Sequence, residues 1–249
     1  MRVKLLLTGL RGSLAPRVAE AAAAAGMEVN GWNRERVPPE DQAACRAWLD
    51  AQDFDAIAHL AMGSAEWSGL LAAHAAARGL PFVFTSTVMV FDAPGPHAPD
   101  SERTDSTDYG RYKIACEDAV RVANPEAAIV RIGWQIDGQR PGNNMLRALD
   151  EWQAKEGRVA ASRAWVPACS FMTDTAQALL GLLQQPRPGI HHLDSNAADG
   201  LSFDRVAQGL KKRFGREAWR IEVHEEYRHD QRLVGGTIVM PTLSERLPL

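Results

Sequence analysis

Between Val3 and Gly133, short apolar runs and helix-forming stretches take turns without a break. Val3–Thr8, Met27–Trp32, Asp55–Leu60, Pro81–Ser86 and Ala127–Gly133 read as strands. Leu14–Ala25, Glu40–Ala51, Ser64–Arg78 and Asp108–Ala123 read as helices, with Gly26 and Gly79 placed to cap two of them. Strands separated by a helix-length crossover pair in parallel. Runs that are apolar on both parities, such as Ala56–Leu60, suit strands covered on both faces. The pattern predicts an α/β fold built on a doubly wound parallel sheet.

Beyond Gly133 the alternation loosens. A helix is expected over 141–156 with Pro141 at its start, irregular chain over Val159–Cys169, and a helix over Thr173–Gln184. A strand over Gly189–Asp194 and a helix over Ser202–Phe214, opened by Ser202, follow. Residues 220–249 fit no pattern. The organisation expected is a parallel-sheet core over 1–138 and a smaller lobe over 139–249, with 173–194 returning to the core.

Composition narrows the function. A chain of 249 residues with 45% hydrophobic and 24% charged residues is ordinary for a soluble globular enzyme. A formal net charge of -3 gives no basic surface for nucleic acid or an anionic membrane. No apolar run reaches membrane-spanning length, and the first run is too short for a signal peptide and runs into a Gly-rich turn. Cys45, Cys116 and Cys169 are odd in number and far apart, which argues against disulfides or zinc and suits a reducing cytoplasm. The expected partner is a small-molecule substrate, with no nucleic acid, membrane or metal. The oligomeric state stays open, a homodimer included.

The first strand–helix junction reads Thr8-Gly9-Leu10-Arg11-Gly12-Ser13-Leu14-Ala15. Gly9 permits a tight turn, and Gly12 lets backbone approach a pyrophosphate at a helix N-terminus, where free N–H groups favour anions. Ala15 stands where a third glycine is usual. The end of the second strand selects between cofactors, an acid for a ribose hydroxyl or an Arg for a 2′-phosphate. Here Asn33-Arg34-Glu35-Arg36 offers Arg34, with Arg11 as a second cation and Glu35 expected to point away. NADP(H) is favoured over NAD(H).

Tyr109 and Lys113 are four apart in a helix and so share a face. An ammonium beside a phenol lowers the phenol's pKa, and such a tyrosine can exchange a proton with a carbonyl oxygen. Thr85-Ser86-Thr87 ends an apolar strand, where a hydroxyl reaches the ligand crevice, and Thr87 is placed to bind the same oxygen. His191 and His192 are expected in one strand, one facing the core and one a surface. Cys116 reads as a buried structural thiol, and Trp48, Trp67, Trp152 and Trp219 as packing residues. His224, Glu225, Glu226, His229 and Asp230 read as an exposed charged segment.

With these motifs in this order, the chain resembles the extended short-chain dehydrogenase/reductases, and within them the dTDP-4-dehydrorhamnose reductase-like, NAD(P)-dependent epimerase-dehydratase family. The likeness rests on Gly9–Ala15, His59-Leu60-Ala61-Met62, Ser86–Asp92, Tyr109–Lys113, Val130–Trp134 and Pro188–Leu193, over roughly residues 2–215. It implies a Rossmann core with a C-terminal substrate lobe. It places Gly9, Leu10, Arg11, Gly12, Ser13, Leu14, Asn33, Arg34, Leu60, Ala61, Met62 and Ile132 at the cofactor, with Gly63 beside them, joined by Tyr109 and Lys113. Thr87, Tyr109 and Lys113 take the catalytic roles, Lys113 also binding ribose. Val88, Met89, Trp134, Asn143, Asn144 and Trp165 are substrate candidates, and Gln135 is implied to flank nicotinamide or substrate. The segment from Met62 to Pro81 is shorter than in the family, Val88 and Met89 replace its acidic and aromatic residues, and a dehydratase's acidic pair is absent. The reading is an NADP(H)-dependent carbonyl reductase acting on a sugar-like or other polar substrate, a nucleotide sugar included. The alternatives are a sugar epimerase and a non-catalytic dinucleotide-binding regulator.

Overall fold

The computed structural model describes residues 2–104, 107–140 and 142–249. Its first half alternates β1 (Lys4–Thr8), α1 (Leu14–Ala24), β2 (Glu28–Gly31), α2 (Gln42–Asp50), β3 (Ala56–His59), α3 (Ala65–Arg78), β4 (Phe82–Thr87), α4 (Asp108–Ala123) and β5 (Ala128–Ile132). The second half adds β6 (Trp134–Ile136), α5 (Met145–Glu156), β7 (Val159–Ser162), β8 (Trp165–Val166), β9 (Cys169–Phe171), α6 (Met172–Gln184), β10 (Gly189–Leu193), α7 (Phe203–Arg213), β11 (Ile221–His224), β12 (His229–Asp230) and α8 (Leu243–Arg246).

Six strands form one sheet in the order β2-β1-β3-β4-β5-β10, and every neighbouring pair is parallel. The chain leaves β1 toward β2 on one side and later toward β3 on the other. That reversal opens a crevice beyond the carboxyl ends of β1 and β3, where ligands bind in such sheets. Side chains alternate between faces along each strand. Leu5 and Leu7 of β1 therefore meet Val18 and Ala22 of α1 and Leu179 and Leu183 of α6. Leu6 faces the other layer with Leu49, Trp67, Leu71 and Val120 from α2, α3 and α4. A third core joins Ile136, Leu146, Leu149, Phe203, Leu210 and Trp219 beneath the short strands of the lobe.

Local chemistry sets the boundaries. Asp41 accepts from Ala44 N and starts α2 at Gln42, two residues later than the periodicity suggests. Ser64 caps α3, and Gly79 closes it at φ 64°. Asn144 caps α5, so that helix begins at Met145; the expected start at Pro141 lies outside the described residues. Gly133 lies between β5 and β6, where only glycine fits, because a Cβ there would lie 2.1 Å from the Ala168 carbonyl oxygen.

Residues 159–169 depart from the irregular chain expected of them. β7 pairs with β11 from Val159↔Ile221 to Ser162↔His224, and β8 pairs with β12. His191 and His192 also depart from expectation, since both are buried. His191 Nε2 is 2.7 Å from Arg187 O and His192 Nδ1 is 3.1 Å from Val234 O, so segments folding back over β10 cover both rings. Among the described residues, no helix is long and apolar enough to cross a membrane.

Candidate active site

The turn after β1 is built for close approach. Gly9 has φ +90°, and a Cβ on it would lie 3.1 Å from both Ala61 N and the Leu60 carbonyl carbon. Gly12 N donates to Gly9 O at 2.8 Å and closes the turn. Ser13 then begins α1 without capping it through its side chain, which leaves amide N–H groups facing the crevice. Ala15, in place of the third glycine, packs in the core.

A buried relay fixes the opposite wall. Thr8 Oγ1 accepts from Leu60 N and Ala61 N, both at 3.0 Å, and lies 2.8 Å from His59 Nδ1. His59 Nε2 lies 3.1 Å from Ser68 Oγ, which donates to Ser64 O. With two donors already on its oxygen, Thr8 gives its own proton to His59 Nδ1, and His59 gives its Nε2 proton to Ser68. Burial, with Lys113 and Arg34 nearby, holds the His59 pKa down to about 3, so the ring is neutral. Neither Thr8 nor Ser68 stood out in the sequence, because each resembles an ordinary strand or helix residue.

A groove of about 610 Å³ runs from this turn past Leu10, Arg11, Gly12, Trp32, Asn33, Arg34, Leu60, Ala61, Met62 and Trp67. Arg34 crosses its edge, donating to Met62 O and lying 5.1 Å from the centre of the Trp67 ring. Trp67 is thus a packing residue that also forms part of the groove. Asn33 Oδ1 accepts from Glu35 N and Arg36 N at 3.0 and 3.2 Å and shapes the loop. Glu35 is not among the groove-lining residues; it pairs with Arg11 at 2.5 Å on the exposed rim. Exposed pairs of this kind are weak, so Arg11 can exchange its partner readily.

A second cleft of about 360 Å³ continues from the groove, sharing Gly9, Gly12, Leu60 and Met62 with it. Ser13, Leu14, Thr87, Tyr109, Lys113, Ile132, Trp134 and Asn143 line it. Tyr109, although 41% exposed, faces this open cleft beside Thr87. Burial pushes the phenol above its ordinary value, and the nearby Thr87 hydroxyl opposes that push. Lys113 is buried, with Nζ donating to Thr85 O at 3.0 Å. Burial draws its pKa down. The expected lowering of the Tyr109 pKa by Lys113 is therefore corrected: the ammonium is engaged on a strand carbonyl, and desolvation sets the phenol.

Two buried ion pairs position these elements. Arg131 of β5 binds both oxygens of Glu117 on α4 at 2.9 and 2.8 Å, locking the helix that carries Tyr109 and Lys113. Arg17 of α1 binds Asp137 after β6, and Arg140 binds Glu20. These contacts draw residues 137–140 and Gly142 over the start of α1, where a Cβ on Gly142 would lie 2.5 Å from Ser13 Oγ.

Four substrate candidates lie outside both cavity linings. Val88 is buried with Val90, Phe91 and Leu233, and Met89 packs against that cluster. Asn144 is spent on capping α5 through Arg147 N at 3.1 Å. Trp165 donates to Gln231 Oε1 at 2.8 Å and packs 4.5 Å from the Phe203 ring. Each residue is consumed by a local packing or capping demand that spacing alone does not reveal.

A family model described as "RmlD substrate binding domain" matches residues 3–222. The dTDP-4-dehydrorhamnose reductase of Mycobacterium tuberculosis is 29% identical over 201 residues, 72% of this chain and 65% of that protein. The enzyme of the same name from Mycolicibacterium smegmatis is 27% identical over 224 residues, 83% of this chain and 68% of that one. The chain thus spans just under two thirds of the Mycobacterium tuberculosis relative. Among solved structures, dTDP-4-dehydrorhamnose reductase from Bacillus anthracis in complex with NADP aligns with a TM-score of 0.80 at 14% identity, covering 98% of this chain and 96% of that one. WbmH of Bordetella bronchiseptica in complex with NAD+ aligns with a TM-score of 0.78 at 15% identity, with the same coverages. At these identities the structural likeness speaks for the fold.

Proposed function

For this chain, which belongs to the RmlD substrate binding domain family, we propose NADP(H)-dependent reduction of a ketone on a sugar nucleotide. The observation that carries the reading is the meeting of Thr87, Tyr109 and Lys113 with the Gly9–Leu14 turn in one cleft. The substrate proposed is dTDP-4-dehydrorhamnose, on the names of the relatives from Mycobacterium tuberculosis and Mycolicibacterium smegmatis. With it goes a division of labour between a cofactor core over 1–138 and a substrate lobe over 139–249, crossed by 173–194.

The residues present fit a dinucleotide. Gly9 leaves room that a Cβ would fill, the start of α1 is uncapped by its side chain, and the groove runs unbroken into the cleft. Gly9, Leu10, Gly12, Ser13 and Leu14 hold the pyrophosphate, and Leu60, Ala61 and Met62 form the facing wall. Arg34, with Arg11, gives the rim cations that suit a 2′-phosphate. The bound cofactor supplies a hydride.

The side chains perform the rest. Thr87 and Tyr109, which line one cleft, direct two hydroxyls at one carbonyl oxygen. Because burial raises the Tyr109 pKa, the phenol keeps its proton at neutral pH, which is the form that a reduction consumes. Tyr109 passes that proton to the oxygen as negative charge develops there. Lys113, held by Thr85 O, keeps a cation against the inner end of the cleft.

The test is to mix the protein with NADPH and dTDP-4-dehydrorhamnose and follow nicotinamide absorbance. One NADPH consumed per ketone reduced supports the reading. No consumption with both at saturation would contradict it. An epimerase cycle regenerates its cofactor and leaves the absorbance unchanged while the sugar is altered.

A further inference from the structure

Gln135 is the middle residue of β6 and is 8% exposed. It lies in the wall of the cleft that holds Thr87, Tyr109, Trp134 and Asn143. Its amide nitrogen donates to Gly133 O at 3.1 Å. That bond fixes which end of the amide is the donor, and it leaves Oε1 closed to solvent and without a hydrogen-bond partner. β6 cannot swing the residue elsewhere, because it is paired with β9 and pinned by Trp134 N to Ala168 O at 2.8 Å. Ser86 Oγ, 3% exposed in the same cleft, also has no partner. A hydroxyl can rotate to suit an arriving group; the Gln135 oxygen can only accept.

A buried acceptor without a donor costs folding free energy, and an apolar residue of similar length would fill the position without that cost. A ligand hydroxyl entering the cleft would supply the donor that this oxygen lacks. We propose that Gln135 is a specificity-determining residue, its Oε1 accepting a hydrogen bond from a substrate hydroxyl beside the ketone that Tyr109 protonates. The inference rests on the reductive reading given above. It adds the substrate class: a ketone flanked by a free ring hydroxyl, in preference to a deoxy or O-substituted neighbour. A site built around such a bond rejects the analogue that lacks it, because the protein group is again left unpaired.

Gln135→Met keeps the length of the side chain and removes both the Oε1 acceptor and the Nε2 donor to Gly133 O. Three quantities decide the matter: the melting temperature of the ligand-free protein, the NADPH dissociation constant, and KM and kcat for dTDP-4-dehydrorhamnose. The expected result is an unchanged or raised melting temperature, NADPH affinity within about twofold, and KM raised about tenfold or more with kcat changed far less. An unchanged KM, with NADPH still consumed, would overturn the role of Gln135. A melting temperature lowered by several degrees would overturn it as well, since the amide would then be serving the fold. Failure of the unsubstituted protein to consume NADPH would instead overturn the reductive reading, and the substrate class inferred from Gln135 with it.

Discussion

The guanidinium of Arg17 on α1 binds both oxygens of Asp137, each at 2.8 Å, across 120 residues of sequence. Asp137 also accepts from Gln139 N and Arg140 N, so one carboxylate shapes the turn after β6 and fastens it to the helix that follows the Gly9–Gly12 turn. Both side chains are more than nine-tenths buried. The pair joins the Gly-rich-turn side of the cleft to the stretch after β6 that leads to Asn143.

Asp137→Asn should lower unfolding stability by about 1–3 kcal/mol at neutral pH, because it removes one of the two carboxylates on the Arg17 guanidinium and leaves only Glu20, at 2.9 Å. Burial alone would raise the Asp137 pKa; Arg17 and the two backbone N–H groups outweigh it and hold the pKa below 3.8. The folded value is depressed, so this stabilisation is present above the unfolded value and is lost as pH falls through the folded one. Denaturant unfolding at pH 7 and below pH 4 checks both points: the gap between the unsubstituted protein and Asp137→Asn should shrink in acid.

Gly9→Ala should cost about 1–3 kcal/mol and abolish cofactor binding together. The residue sits at φ +90° and a Cβ would press on Leu60 and Ala61 at 3.1 Å. Thermal unfolding and NADPH titration by tryptophan fluorescence read the two effects. A stable variant that binds NADPH normally would show that the turn tolerates a side chain.

His59 should remain a neutral imidazole down to about pH 5 in an NMR titration, since burial holds its pKa near 3. The unfolded chain takes up that proton near pH 6.5, so this residue makes stability fall as pH drops from about 6.5 toward 3. A midpoint near 6.5 in the folded protein would break the Thr8–His59–Ser68 relay as described.

Much of this arrangement was legible locally. The β1–α1 turn, the Tyr109–Lys113 spacing and Thr87 at the end of β4 each follow from a few adjacent residues, and the sheet follows from the alternation. What escaped is what distant residues decide. β7 and β8 are four and two residues long, and they exist because β11 and β12 arrive from about 60 residues downstream. Lys113 was expected to act on Tyr109, but a carbonyl on β4 holds it. Asn144 looked like a ligand-binding amide and is a helix cap, because the caps of the lobe depend on where its helices begin. The Arg11–Glu35 pair joins two loops whose proximity is a property of the folded crevice.

Arg34→Leu should weaken NADPH binding about 10- to 100-fold and leave NADH binding within about twofold, the loss expected for one charge-assisted phosphate contact. Fluorescence titration with both cofactors checks it. Equal losses for the two would assign Arg34 to shaping the groove through Met62 and Trp67.

The proposed chemistry depends on a phenolic proton. Tyr109→Phe removes that proton while leaving the ring in the cleft wall. The rate of NADPH oxidation by this variant with dTDP-4-dehydrorhamnose should fall about 10²- to 10⁴-fold, with the NADPH dissociation constant within about twofold of the unsubstituted protein. Oxidation at the full rate would contradict the account, because the carbonyl oxygen would then be receiving its proton from another group.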